Sequence, residues 1–260
     1  MHIYEPRFPV RPGAATPPMA PVSEYLKLRA RLGIERTVVV QPNAYGTDNS
    51  CTLEAMAALG PSARGVAVVG PDVTDAEMKR LTDAGIRGQR FLMFGGVLGW
   101  DQIEEMAKRV HSFGWHINLQ FDGREFPERV AMIERLPCTV VIDHVGKFIE
   151  PVPVEDRSFQ SFLRLLDSGR IWVKLSAPYE TSKLGAPHYA DVGALAKALV
   201  RTAPERLLWG SNWPHPSAPA GQLPDDADLL DVLLDWAPDE ATRKKIMVDN
   251  PARLYGFGPA

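Results

Sequence analysis

The stretch Thr139-Val140-Val141-Ile142-Asp143-His144-Val145-Gly146 decides the fold. Its β-branched apolar run leads straight into a carboxylate, an imidazole and a glycine. A strand with one wet face alternates polar and apolar residues, whereas an unbroken apolar run reads as a strand covered on both faces, the habit of parallel sheets. Polar chemistry is then left to the carboxyl tip. Six more such runs follow the same pattern: Thr37 to Gln41, Gly65 to Val69, Gly88 to Phe91, His116 to Phe121, Ile171 to Leu175 and Leu207 to Gly210. Amphipathic stretches lie between them, among them Asp101 to Phe113, Glu155 to Leu166 and Tyr189 to Thr202. Alternating strand and helix predicts an α/β fold with a parallel sheet. Asp75 with Glu77 and Asp101 with Glu104 mark helix starts, and Gly85, Gly114 and Gly169 mark helix ends. At the far end, Asp239 to Val248 reads as a helix and Asn250 to Tyr255 as a last turn.

Closing a (β/α)8 TIM barrel takes an eighth strand, and Met1-His2-Ile3-Tyr4 is the piece left to supply it. A barrel strand normally runs to about five residues. Either the first strand is therefore short or truncated at the N-terminus, or the true start lies upstream of Met1. No linker, repeat or low-complexity tract divides the chain, so residues 1–260 are expected to form a single domain, with the proline-rich 9–21 segment as a loop over the barrel mouth.

Composition narrows the partners. The 260 residues carry 29 Lys and Arg against 32 Asp and Glu, a net charge of -3, which gives no global reason to bind nucleic acid or an anionic membrane. Cys51 and Cys138 form no CxxC pair, so neither a disulfide framework nor a structural zinc site is expected. No basic-then-apolar leader and no run of about 18 apolar residues is visible. The expectation is a cytoplasmic protein with a small-molecule partner and an open oligomeric state.

In a parallel barrel the active site is built at the carboxyl ends of the strands. The candidates there are His2, Tyr4 and Arg7; Gln41 and Tyr45; Arg90; Asn118, Gln120, Asp122 and Arg124; Asp143, His144 and Lys147; Lys174, Ser176 and Tyr179; and Asn212 with His215. His144 at a strand tip suits proton transfer. His116 begins its strand, at the end associated with stability. His215 serves either to shape its loop or to touch substrate, and Arg90 calls for either an internal acid or a bound carboxylate. Asn212 stands where a carboxylate would suit catalysis, and an amide neither takes a proton nor carries charge. Catalytic zinc usually takes three protein ligands. With His2, His144 and an amide on offer, no tightly bound metal and no cofactor are expected.

Five segments together carry a family likeness: residues 2–9 (His-Ile-Tyr-Glu-Pro-Arg-Phe-Pro), 41–49 (Gln-Pro-Asn-Ala-Tyr-Gly-Thr-Asp-Asn), 142–146 (Ile-Asp-His-Val-Gly), 174–179 (Lys-Leu-Ser-Ala-Pro-Tyr) and 209–216 (Trp-Gly-Ser-Asn-Trp-Pro-His-Pro). They resemble the amidohydrolase superfamily, in the branch of 2-pyrone-4,6-dicarboxylate lactonase, 4-sulfomuconolactone hydrolase and galactaro-δ-lactone isomerase. The resemblance implies a (β/α)8 barrel acting on small anionic lactones without a divalent metal. It maps His2 onto the second member of a first-strand His-x-His pair, His144 onto the sixth-strand His, and Asn212 onto the eighth-strand Asp, replaced as in the isomerase type. The first His of the pair would precede Met1, which implies an earlier start or an impaired site. The roles that follow are His144 as proton shuttle, Asn212 as the group that orients a substrate hydroxyl, and His2 as the group that polarises the carbonyl or steadies the oxyanion. Arg90, with Arg124 or Lys174, holds a carboxylate, and Tyr45, Gln120, Ser176 and His215 complete the substrate contacts. Lactone isomerisation ranks just ahead of hydrolysis. The alternatives are a weakened barrel that binds a small organic acid without turnover, and a metal-dependent hydrolase or decarboxylase.

Overall fold

The computed structural model describes residues 1–219 and 221–258. Helix and strand alternate along the chain: α1 (Val22–Leu32), β1 (Thr37–Val40), α2 (Ser50–Leu59), β2 (Ala63–Ala67), α3 (Asp75–Asp83), β3 (Ile86–Leu92), α4 (Ile103–Ser112), β4 (His116–Gln120), α5 (Phe126–Arg135), β5 (Val140–Ile142), α6 (Arg157–Asp167), β6 (Ile171–Ser176), α7 (Ala190–Thr202) and β7 (Leu207–Gly210). Helices α8 (Asp226–Trp236), α9 (Glu240–Lys244) and α10 (Asn250–Tyr255) complete the series. All seven apolar runs form strands, ordered β1 to β7 in one sheet. The pairs β1–β2, β2–β3, β5–β6 and β6–β7 are parallel, the arrangement that goes with strands covered on both faces. The chain partitions into two compact units, Met1–Leu119 with Asn212–Pro216, and Gln120–Ser211 with Ser217–Ala260.

In the first unit, Val39, Val66, Ala67, Ile86 and Phe91 of the strands are buried, as are Met78, Leu81, Met106 and Val110 of the helices. Thr74 caps α3 by accepting the Glu77 N–H (3.2 Å), one residue earlier than Asp75 suggests. Gly114, at φ 73°, ends α4, and the Trp115 N–H returns to the Val110 carbonyl at 3.0 Å. His116 has a structural account. A Cβ on Gly88 would lie 2.5 Å from its Nε2, so the missing side chain makes room for the ring. The same ring nitrogen is 3.2 Å from Asn118 Oδ1.

The expected first strand does not form as a regular strand. Met1 O accepts the Val40 N–H (2.9 Å), its ammonium group donates to Val38 O (3.3 Å), and the His2 N–H donates to Trp213 O (2.8 Å). Residues 1–2 thus have partners on both sides, but Tyr4 already pairs antiparallel with Ala20 through two 3.0 Å bonds. Pro6 and Pro9, which have no N–H to donate, would interrupt any longer ladder.

The second unit is centred on aromatic rings. Phe126 stacks on Phe162 with centroids 4.3 Å apart and packs edge-on against Phe121 at 4.8 Å, while Phe148 meets Phe159 at 5.7 Å. Asn250 at the start of α10 is buried and donates to both Pro204 O and Leu207 O at 2.8 Å, tying the terminal helix to the entry of β7. Both cysteines are buried, and neither is in a disulfide. Among the described residues no helix is long and apolar enough to cross a membrane.

Replacing Asn250 by Ala strands two carbonyl oxygens in this unit, at a cost of about 2 kcal/mol. In a chain of this size that lowers the thermal midpoint by roughly 4–8 °C. Calorimetry on the purified variant checks it, and an unchanged midpoint would remove the tie as a source of stability.

Candidate active site

In the first unit, side-chain amides extend the sheet past the last backbone pair. Asn49 Oδ1 accepts the Val68 N–H (3.0 Å) and its Nδ2 donates to Val68 O (2.8 Å). Gln89 treats Val69 in the same way, at 3.0 and 3.2 Å. Gln41 Nε2 donates to Gly46 O (3.1 Å) and Asp48 O (2.7 Å), while its Oε1 accepts from the Thr52 hydroxyl (2.6 Å). The buried amides of the strand tips therefore hold loop backbone. Tyr45 does likewise: its hydroxyl accepts the Glu5 N–H (2.9 Å) and donates to Glu5 O (3.0 Å).

Buried His2 places Nδ1 2.8 Å from Val40 O. A carbonyl oxygen only accepts, so Nδ1 carries the hydrogen, and in the neutral ring Nε2 keeps the lone pair. Neutral His2 can take a proton or accept a hydrogen bond. Polarising a carbonyl or steadying an oxyanion, the role the resemblance gave it, needs the imidazolium form instead. Asn212 is buried at φ 57°, a conformation that asparagine tolerates better than most side chains. Its carbonyl accepts the His215 N–H at 2.9 Å, closing a turn that includes the cis Trp213–Pro214 bond and leaves the His215 side chain buried.

Arg90 on β3 is only 7% exposed, and its Nη1 donates to Gln41 O at 2.8 Å. It lines a pocket with Asn43, Gly46, Val68, Leu92, Gly96, Val97 and Leu98, none of them acidic. Burial pushes the Tyr4 hydroxyl up to about 12, and the Arg90 charge opposes that rise without cancelling it.

In the second unit the tips of β5 and β6 are joined by three polar pairs in sequence order. Lys174 meets Asp143 at 2.8 Å, His144 Nδ1 lies 2.8 Å from the Ser176 hydroxyl, and Lys147 pairs with Glu180. Both ion pairs are largely sequestered, with side-chain exposures of 13% and 5% for the first and 12% and 3% for the second. Ser176 thus orients the histidine ring, and Lys174 is already engaged by a carboxylate. So is Arg124, whose Nε donates to Asp122 at 2.9 Å. Burial pushes the Asp122 carboxyl up, but the hydrogen bonds from Arg124 outweigh it and hold the group below its usual value. Gln120 is buried at the end of β4.

The backbone around His144 is unusual. His144, Val145 and Lys147 adopt φ of 53°, 55° and 50°, and Gly146 between them 87°. Left-handed geometry costs a non-glycine residue about 1–2 kcal/mol, most for a β-branched one. Such strain survives only where the surroundings over-determine it. Lys147 N–H donates to His144 O (2.8 Å), Gly123 N–H to Lys147 O (3.3 Å), and Val145 is 1% exposed. A Cβ on Gly146 would come within 2.8 Å of the Phe148 and Phe162 rings. Glu180 escapes sequence reasoning, because no local pattern sets it apart from a surface acid. The one available signal is Pro178, which starts the turn Pro178–Glu180 carrying it.

Among the described residues no group of three or more His, Cys, Asp or Glu is placed to hold a metal ion. In the first unit Asn212 is a neutral amide, and in the second Asp143 is engaged by Lys174; neither is a strong ligand for a divalent cation.

The amidohydrolase family matches residues 1–257. A D-galactarolactone isomerase of Agrobacterium fabrum (strain C58) is 34% identical over 264 residues, spanning 100% of this chain and 90% of that protein. A 2-pyrone-4,6-dicarboxylate hydrolase of Comamonas testosteroni is 36% identical over 268 residues, spanning 98% and 88%. The crystal structure of an Agrobacterium tumefaciens protein in its apo form is similar with a TM-score of 0.93 at 34% identity, covering 100% of this chain and 94% of that one.

The raised Tyr4 value gives a pH dependence of stability. Because the folded phenol ionises near 12 and the unfolded one near 10, this contribution is full below pH 10 and is lost as pH rises toward 12. Urea unfolding at pH 8 and pH 11 is expected to show the wild-type midpoint falling more than that of Tyr4→Phe. Equal falls would contradict the assignment.

Proposed function

The chain belongs to the amidohydrolase family, and we propose that it acts on a small anionic lactone, by moving the ring closure within a sugar-acid lactone or by hydrolysing the lactone of a dicarboxylate. Relatives named for these two chemistries are 34% and 36% identical over nearly all of the chain. The observation that carries the reading is the Arg90 pocket. Its guanidinium, 7% exposed, sets a fixed fork of N–H donors in the pocket wall beside Asn43 and Gly46, the geometry that suits a substrate carboxylate.

Isomerisation needs the milder machinery. The attacking hydroxyl belongs to the substrate, so proximity takes the place of a strong base. Asn212 orients that hydroxyl, and His144, steadied by Ser176, shuttles its proton. The His2 tautomer favours a hydrolytic second reading: Nε2, left with the lone pair by the bond to Val40, is able to take a proton from water. Tyr45, Gln120 and His215 complete the substrate surround in this proposal, with Arg124 and Lys174 reaching substrate only by sharing their carboxylate partners. The proposed frame is a single (β/α)8 barrel in the cytoplasm. The two-sided hydrogen bonding of Met1 and His2 and the family match over residues 1–257 support it.

Proton NMR of galactaro-lactones and of 2-pyrone-4,6-dicarboxylate incubated with the protein is expected to show ring migration or ring opening, and no change in any of them would sink the proposal. Asn212→Asp, which supplies a base, is expected to raise hydrolysis relative to isomerisation; a constant ratio contradicts the role given to the amide. In Arg90→Met the KM for the turned-over lactone should rise at least tenfold, with a smaller change in kcat. An unchanged KM would take the carboxylate elsewhere.

A further inference from the structure

We propose that Lys147 and Glu180 are positioning residues for His144, a latch that keeps the imidazole aimed while its backbone stays in the left-handed region. The inference rests on the reading of His144 as the proton shuttle. Lys147 closes the strained run of residues 144–147, and its N–H returns to the His144 carbonyl at 2.8 Å. The far end of the same side chain is fixed to Glu180, whose side chain is 3% exposed. Glu180 in turn belongs to the turn that begins two residues after Ser176, the hydroxyl holding His144 Nδ1 at 2.8 Å. One loop of contacts therefore runs from the imidazole to Ser176, along the chain to Glu180, across the ion pair to Lys147, and back to His144 through three peptide units.

Two features make this more than a stray ion pair. Burying two charges is costly, and such a pair adds little stability over apolar residues of similar volume; its distinctive property is a fixed direction. The run 144–147 needs that direction, because a left-handed histidine and valine relax to ordinary backbone once nothing holds them. Relaxation would swing the His144 side chain away from the Ser176 hydroxyl. The Asp143–Lys174 pair fixes the residue before His144, so the histidine is clamped from both sides in sequence. Substrate contact is not required of either latch residue.

The test uses Glu180→Gln, which keeps size and hydrogen bonding and removes the charge, with Glu180→Asp as the conservative partner. On whichever of galactaro-lactone or 2-pyrone-4,6-dicarboxylate is turned over, kcat is expected to fall at least tenfold in Glu180→Gln with KM within twofold, and to recover in part in Glu180→Asp. In ¹⁵N-histidine spectra, the His144 Nδ1 signal, assigned by its loss in His144→Gln, is expected to move in Glu180→Gln. An unmoved signal with unchanged kcat per folded molecule overturns the proposal, even if the melting temperature drops, because that is what a purely structural pair would do. If His144→Gln keeps its turnover, the shuttle reading fails on its own, and the ring signal still decides whether the latch aims the imidazole. Should Glu180→Gln not fold, Lys147→Arg, which keeps charge and changes reach, is read in the same two ways.

Discussion

A parallel strand cannot turn back to its neighbour through a tight hairpin; its chain must leave the sheet and return by a crossover. The backbone groups just beyond the last paired residue are therefore stranded at the carboxyl edge, buried, and in need of partners. The first unit meets this demand with amides. Asn49 and Gln89 each offer a donor and an acceptor to one residue past β2, as another strand would, and Gln41 gathers the loop that follows β1. The second unit meets it with paired side chains at the tips of β5 and β6 and with a backbone run bent into the left-handed region. Candidate catalytic groups stand among these fixtures, so they inherit fixed positions.

The division of labour among polar residues follows from the same demand. Tyr45, Gln41 and Asn49 spend their hydrogen bonds on backbone, and Lys174 and Arg124 spend charge on neighbouring carboxylates. Arg90 gives one donor to the Gln41 carbonyl and stands in the wall of a pocket. His2 shows how a single backbone contact selects a chemical role. The Val40 carbonyl dictates which ring nitrogen bears hydrogen, and with it whether the ring gives or takes a proton when neutral.

The strands were legible in the sequence because two-sided burial leaves an unmistakable apolar run. Val140 to Ile142 and Leu207 to Gly210 needed only to be read, and Gly114 marked its helix end by the left-handed geometry that glycine adopts without strain. The start was not legible in the same way. Residues 1–4 are too few to show a period, and the pairing of Tyr4 with Ala20 depends on a return of the chain that local pattern does not encode. Candidate site residues could be named from their place at strand tips, but their partners could not. Lys147 and Glu180 are 33 residues apart, His2 and Val40 are 38 apart, and whether a cation is spent on an internal acid is a fact of three dimensions.

The amide fixtures have an evolutionary consequence. Asn49, Gln89 and Asn250 bind the peptide groups of Val68, Val69, Pro204 and Leu207, and none of these bonds involves the side chain at the receiving position. The receiving positions can therefore change identity without loosening the attachment, so long as Val68 and Val69 are not exchanged for proline, which has no N–H to give. Drift in the lining of the Arg90 pocket, where Val68 stands, thereby leaves the Asn49 hydrogen bonds in place. A scaffold fastened in this manner lets point substitutions reshape a pocket wall without severing the hydrogen bonds that hold its backbone in place.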